Sequence, residues 1–133
     1  AKAGVPMEDC RIKSSEYNDV YKNLMVGDVG IIMYDLGFSV IGRSPTKLGE
    51  YWSSGLTCLS AKGIGDLEAI VSAYPNSGVL MDSLEDEEAY EKGIEEILKL
   101  SVNQSKLKAY AFDYFALEKG VAAYANIYNE LIN

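Results

Sequence analysis

The 133-residue chain contains no histidine, only two cysteines and a single tryptophan. Without histidine, a serine, threonine or cysteine lacks the usual base that activates it, so no covalent nucleophile is indicated. Zinc sites are built mainly from histidines and paired cysteine motifs, and neither occurs here. Calcium loops need carboxylates clustered around a loop glycine, and the sequence has no such cluster. We therefore expect no dedicated metal site and no bound cofactor.

Long apolar runs and basic residues are also scarce. No run is long enough to cross a membrane, and twelve Lys and Arg stand against twenty Asp and Glu, a net charge of −8. Proteins that bind DNA, RNA or an anionic membrane surface hold phosphates with clustered Lys and Arg, and this chain has no basic stripe. We therefore expect no nucleic-acid partner. The acidic residues between 85 and 96 alternate with apolar residues at helical spacing, which indicates a solvated helix face.

The two cysteines, Cys10 and Cys58, lie in apolar or strand-like segments without metal-ligand spacing. A chain of this length can bury a core without disulfides, so reduced thiols and a cytoplasmic location are expected. No signal peptide is visible at Ala1, and a first residue other than Met suggests processing or truncation.

Strand-type and helix-type segments alternate along the chain. This order predicts an α/β fold with a Rossmann-like, mostly parallel sheet flanked by helices, in a single domain over residues 1–133. The predicted strands cover residues 10–13, 29–34, 56–59 and 78–81. The predicted helices begin at Ser15, Ser44, Gly65 or Asp66, Ser83, and Asn103 or Ser105. Near the end, an apolar stripe is predicted to be mostly core: Tyr110, Tyr114, Val121, Tyr124, Ile127 and Tyr128. Ligands of such a fold bind at the carboxyl edge of the strands.

The segment between Ser44 and Gly55 indicates a short helix whose amino end is open to an anion. Ser44 is a natural N-cap, Pro45 suits the first helical position, and Gly55 is a natural stop. An apolar strand-type run precedes the segment and another follows it, which predicts a βαβ unit with a phosphate-ready helix start. The loop over residues 35–43, which joins the first strand to this helix, completes the proposed site.

This part of the chain resembles the carboxy-terminal domain of group 1 retaining glycosyltransferases. The resemblance is carried by residues 28–32, by the stretch SPTKLGEY at residues 44–51 and by residues 55–58, in the same order and spacing. The loop over residues 63–68 and the final helix are similar as well. The resemblance implies a GT-B architecture. It also implies a hexosyltransferase-like enzyme of polysaccharide biosynthesis, which transfers a sugar from a nucleotide-diphosphate-sugar donor to a glycan or lipid-linked acceptor.

The donor needs groups for two phosphates and for the ribose hydroxyls. The backbone N–H groups of Thr46 and Lys47, with their side chains and the helix dipole, are suited to phosphates. Glu50, one turn after Thr46, is suited to the two ribose hydroxyls, and the resemblance implies the same role. Its alternative is a surface ion pair with Lys47. The resemblance also places Ser44 and Leu48 in the donor site.

Two further segments can be interpreted either as part of the donor site or as ordinary surface structure. Arg43 is within reach of a phosphate, and its alternative is a solvated loop arginine. Gly63, Gly65 and Asp66 are interpreted as a glycine turn followed by a helix cap rather than as contacts to the donor.

Two departures from the family pattern matter. Many relatives carry a glutamate eight positions before the residue that corresponds to Glu50, and Gly42 stands there, which puts a first glutamate's role at the donor sugar in doubt. The amino-terminal acceptor domain and the first donor-domain strands do not fit into 133 residues. We therefore expect the chain to be the later part of the donor domain and to be inactive alone. The missing domain would bind the acceptor, and any peripheral association with a membrane would also occur through that domain.

Two other functions remain open. A nucleotide-sugar epimerase of the same architecture would share the nucleotide site. A non-catalytic α/β interaction module would use its tyrosine-bearing helices to hold a partner chain and leave the helix start empty. Missing strands would also expose a sheet edge, which favours self-association of this piece.

Overall fold

A computed structural model describes residues 5–132. Its centre is a three-stranded parallel sheet in the order β1-β2-β3, with β1 at Val29–Ile32, β2 at Thr57–Ala61 and β3 at Gly78–Met81. The register pairs Val29 with Thr57 and Cys58 with Gly78. This arrangement confirms the predicted α/β class with a parallel sheet flanked by helices.

Within residues 5–132, six α-helices accompany the sheet. They are α1 (Val20–Leu24), α2 (Thr46–Ser54), α3 (Leu67–Ala73), α4 (Glu87–Lys99), α5 (Gln104–Phe115) and α6 (Leu117–Ile132). Helices α2 and α3 join successive parallel strands, as βαβ units require. The backbone leaves the helical region only at Ala116, so α5 and α6 form one long bent helix. No helix in residues 5–132 has both the length and the apolar character to cross a bilayer.

The two faces of the sheet carry separate cores, because successive strand side chains point to opposite sides. One core joins Ile32 and Cys58 to Leu48 and Trp52 of α2, together with residues of α3 and α5. The other core contains Leu59, Val79 and Met81 of the strands and Ile97 of α4. Helix α4 packs mainly on β2 and β3, and Ile31 of β1 is 54% exposed on that face.

Trp52 ties α2 to the rest of the first core. Its side chain is fully buried, and its indole Nε1–H donates to the carbonyl oxygen of Ser77 at 3.0 Å. Tyr74, Tyr110 and Phe115 meet its ring edge to face. These contacts fix α5 against α2 and give the sheet one firm helical layer.

The structure departs from the sequence prediction at residues 10–13 and at the start of α4, and it agrees with the prediction at the start of α5. Residues 10–13 form no strand, because they lie exposed with no neighbouring strand to pair with. Ser83 does not cap α4: its hydroxyl accepts from Glu85 N–H in the preceding turn, and the carboxylate of Asp86 accepts from Glu88 N–H at the helix start. Asn103 caps α5, as one of the two predicted starts requires.

The apolar stripe on the last helices is mostly not core. Tyr110 packs against the first core, whereas the stripe residues of α6 all remain exposed: Val121, Tyr124, Ile127 and Tyr128. The helical spacing correctly predicts that these residues share one face, and nothing in residues 5–132 covers that face.

Candidate functional site

Helix α2 begins one residue later than the sequence predicts. Pro45 occupies the N-cap position with an extended backbone, and no side chain caps the first turn. Ser44 is therefore not the cap, and its hydroxyl instead donates to Asp66 Oδ2 at 3.0 Å. The amino end of α2 is left without a side-chain acceptor, as an anion site at a helix start requires.

The turn before α3 packs against the loop that precedes α2, at Arg43 and Ser44. Gly65 has φ of +43° and lies so close to the carbonyl of Arg43 that a Cβ at this position would overlap it. Asp66 accepts from Ser44 and, at 3.4 Å, from the Tyr114 hydroxyl, whereas its side chain makes no cap bond to α3. The predicted glycine turn is confirmed, and the carboxylate that was expected to cap α3 lies instead beside Ser44.

Thr46 and Glu50 share one exposed face of α2, one helical turn apart. Both line a groove of about 730 Å³ between α1 and α2, whose opposite wall includes Tyr17, Tyr21 and Leu24. The alternative ion pair between Glu50 and Lys47 does not form, and Glu50 makes no ion pair with any other described residue. The Glu50 carboxylate is therefore free to accept from hydroxyl groups in the groove.

The other predicted site residues lie apart from that groove. Lys47 is exposed on α2 and does not line the groove. The guanidinium of Arg43 stacks over the Tyr34 ring, 5.2 Å from its centroid, at the carboxyl end of β1. Leu48 is fully buried in the core, and its N–H donates to the Pro45 carbonyl at 3.0 Å, so its side chain faces no ligand.

Tyr51 positions α2 on the sheet, a role that the sequence did not predict. Its hydroxyl donates to the Ile31 carbonyl at 2.9 Å, and its ring lies directly on Gly30. Burial above all raises the pKa of Tyr51, and Cys58 and Glu50 raise it further. The pairing of a strand glycine with an aromatic residue on the following helix is the signal that could have found this contact.

A second cleft, of about 470 Å³, lies at the carboxyl ends of β1 and β3. Asp35, Asp82 and Glu85 line it, together with Tyr34 and Tyr90. The Lys62 ammonium bonds Asp82 at 2.5 Å and lowers the pKa of that carboxyl. The carboxylates of this cleft would repel an anion such as a diphosphate. Within the described chain, no three His, Cys, Asp or Glu residues are placed to hold a metal ion.

No protein-family model, no curated protein and no solved structure matches this chain. The structure itself is that of a small α/β protein whose three-stranded parallel sheet is flanked by helices.

Proposed function

We propose that this chain is the donor-binding part of a retaining glycosyltransferase. In this proposal the intact protein transfers a sugar from a nucleotide-diphosphate sugar to a glycan or lipid-linked acceptor in the cytoplasm. The observation that carries the proposal is the placement of Thr46 and an unpaired Glu50 side by side at an uncapped helix start. The resemblance of residues 44–51 to the family supports the same roles.

In the proposed complex, the first N–H groups of α2 and the Thr46 hydroxyl donate to the diphosphate. Glu50 accepts from the ribose hydroxyls, and Lys47 supplies a positive charge from the adjacent face of the helix. Fixed donors at a helix start stabilise the negative charge that develops on the leaving diphosphate, and they do so without a metal ion. Arg43 would have to leave the Tyr34 ring to reach a phosphate.

The proposal is tested by calorimetric titration of the full-length gene product with UDP and GDP. Glu50→Ala is expected to weaken nucleotide binding by roughly 10-fold or more, since about 1.5–3 kcal/mol is typical of hydrogen bonds to a charged group. Glu91→Ala is the matched control, because Glu91 is also an exposed helical glutamate without an ion pair in the described chain, and it lies on α4. Equal weakening by both variants would refute the role of Glu50.

A non-catalytic interaction module is the second candidate, and two observations favour it. The apolar face of α6 is exposed, and the Asp66 carboxylate lies next to Ser44, where it opposes an incoming phosphate. This candidate predicts that a folded full-length protein binds neither UDP nor GDP. No observation of the structure favours the epimerase.

A further inference from the structure

Helix α6 presents an apolar face that no described residue covers. The helix is sixteen residues long and none of them is buried. Seven large apolar side chains of α6 are each more than half exposed: Leu117, Val121, Tyr124, Ile127, Tyr128, Leu131 and Ile132. Exposed apolar surface of this size and continuity on a soluble protein usually marks an interaction site.

The spacing of these side chains predicts what kind of surface covers them. Leu117, Val121, Tyr124, Tyr128 and Leu131 follow one another at intervals of four, three, four and three residues. This is the heptad repeat of a helix that packs along another helix. The three charged residues of α6, Glu118, Lys119 and Glu130, all lie outside the five heptad positions. The expected partner is therefore a second amphipathic helix.

We propose that two copies of this chain form a symmetric dimer in which the α6 helices pack together antiparallel. The second copy supplies the same apolar face, so the surface is self-complementary, as a two-fold interface must be. The seven side chains together offer roughly 800 Å², which is about what each partner buries in a stable interface of standard size. The dimer contact does not involve the groove between α1 and α2 and forms without a nucleotide.

Charge and geometry favour the antiparallel orientation. Each copy carries a net charge of −8, so the two folded bodies repel each other. Because α6 joins the rest of the fold at its amino end, antiparallel packing places the two bodies at opposite ends of a helix about 24 Å long. That separation exceeds the Debye length of about 8 Å at physiological salt, and antiparallel helix dipoles attract.

Sedimentation equilibrium of the 133-residue chain tests the dimer. The expected mass at micromolar concentration is twice the monomer mass of 14.6 kDa. Replacing both Val121 and Tyr124 by Glu should raise the dimer dissociation constant roughly 100-fold or more, because the interface would bury unpaired carboxylates. The control Ala122→Glu adds a charge to the same helix outside the stripe and should leave the dimer intact. All three positions are exposed, so the circular dichroism of the variants should not change.

Two results would overturn the proposed interface. The wild-type chain could sediment as a monomer at all concentrations. Alternatively, the double variant could dimerise as tightly as wild type. That result would indicate that the dimer contact lies at a free sheet edge, at β1 or β3.

Cysteine cross-linking tests the orientation. In a Cys10→Ser background, Tyr124→Cys lies near the middle of α6 and should form a disulfide with its own copy on oxidation. Leu117→Cys should not, because antiparallel packing places its two copies about 20 Å apart, given a rise of 1.5 Å per residue. Cross-linking of Leu117→Cys would contradict the antiparallel arrangement, because parallel packing would place both Leu117 and Tyr124 next to their own copies.

Discussion

Gly30→Ala should destabilise the protein through Tyr51, the residue that seats α2 on β1. A Cβ at position 30 would lie 2.2, 2.4 and 2.6 Å from three carbons of the Tyr51 ring. Ordinary carbon contacts are about 3.5–4.0 Å, so the ring must move by roughly 1 Å or more. That movement strains or breaks the hydrogen bond from the Tyr51 hydroxyl to the Ile31 carbonyl.

The expected cost follows from three contributions. Overpacking costs about 1–3 kcal/mol, and loss of the hydrogen bond adds about 0.5–1.5 kcal/mol. Replacing glycine offsets about 0.4–1 kcal/mol by restricting the unfolded chain. Since Tyr51 is only half-buried and its ring can yield, we expect a net loss of about 2 kcal/mol in the free energy of unfolding. In a Tyr51→Ala background the clash is absent, and Gly30→Ala should be neutral or stabilising.

Urea unfolding, followed by circular dichroism and by the fluorescence of the single tryptophan, measures the four members of this cycle. Gly37→Ala is the matched control, because a Cβ there meets no atom within 4 Å, and it should change stability little. A loss of stability in Gly30→Ala as small as that of the control would show that no clash with Tyr51 occurs. A loss of stability that persists when Tyr51 is alanine would show that the loss has another cause.

Two further predictions concern titrating groups. Burial raises the pKa of Cys58 to about 12, whereas Cys10 is exposed, so one thiol should react rapidly with Ellman's reagent in the folded protein at mildly alkaline pH. Cys10→Ser should abolish that fast phase, and a remaining fast thiol would contradict the burial of Cys58. The hydrogen bond to Asp113 raises the pKa of Tyr74 from 10.0 to about 12, so it adds stability below pH 10 that is lost as the pH rises from 10 to 12. The urea midpoint of wild type should therefore fall more steeply over that interval than the midpoint of Tyr74→Phe, and parallel slopes would show that the bond is not populated.

The strands and helices near the centre of the chain follow from local sequence. Apolar runs predict the three strands of the sheet, and Gly55 ends α2 with φ of +85°, as predicted. Residues 10–13 alternate apolar and basic side chains, as in a half-buried strand, and yet form no strand, because pairing depends on a neighbour that local sequence does not reveal. Likewise, helical spacing predicts the apolar face of α6 but not whether the fold covers it.

The candidate site is predictable only where its residues lie on one helix. Thr46 and Glu50 share a face because they are one turn apart, and spacing alone establishes this. Ser44, by contrast, donates a hydrogen bond to Asp66, twenty-two residues later, and Tyr51 donates one to the Ile31 carbonyl of β1. Both contacts depend on how loops and strands meet in three dimensions, which no local pattern contains. The sequence therefore predicts helix α2, but it does not predict the side-chain contacts that fix the helix in the fold.

In the proposed complex, Glu50 binds the ribose of a nucleotide at the start of α2. The most direct measurement is calorimetric titration of the full-length gene product and its Glu50→Ala variant with UDP and with 2′,3′-dideoxy-UDP. We expect wild type to bind UDP roughly 10-fold or more tightly than the dideoxy ligand, and the variant to bind the two equally. Equal binding of both ligands by wild type, or no binding at all by the folded protein, would contradict this role of Glu50.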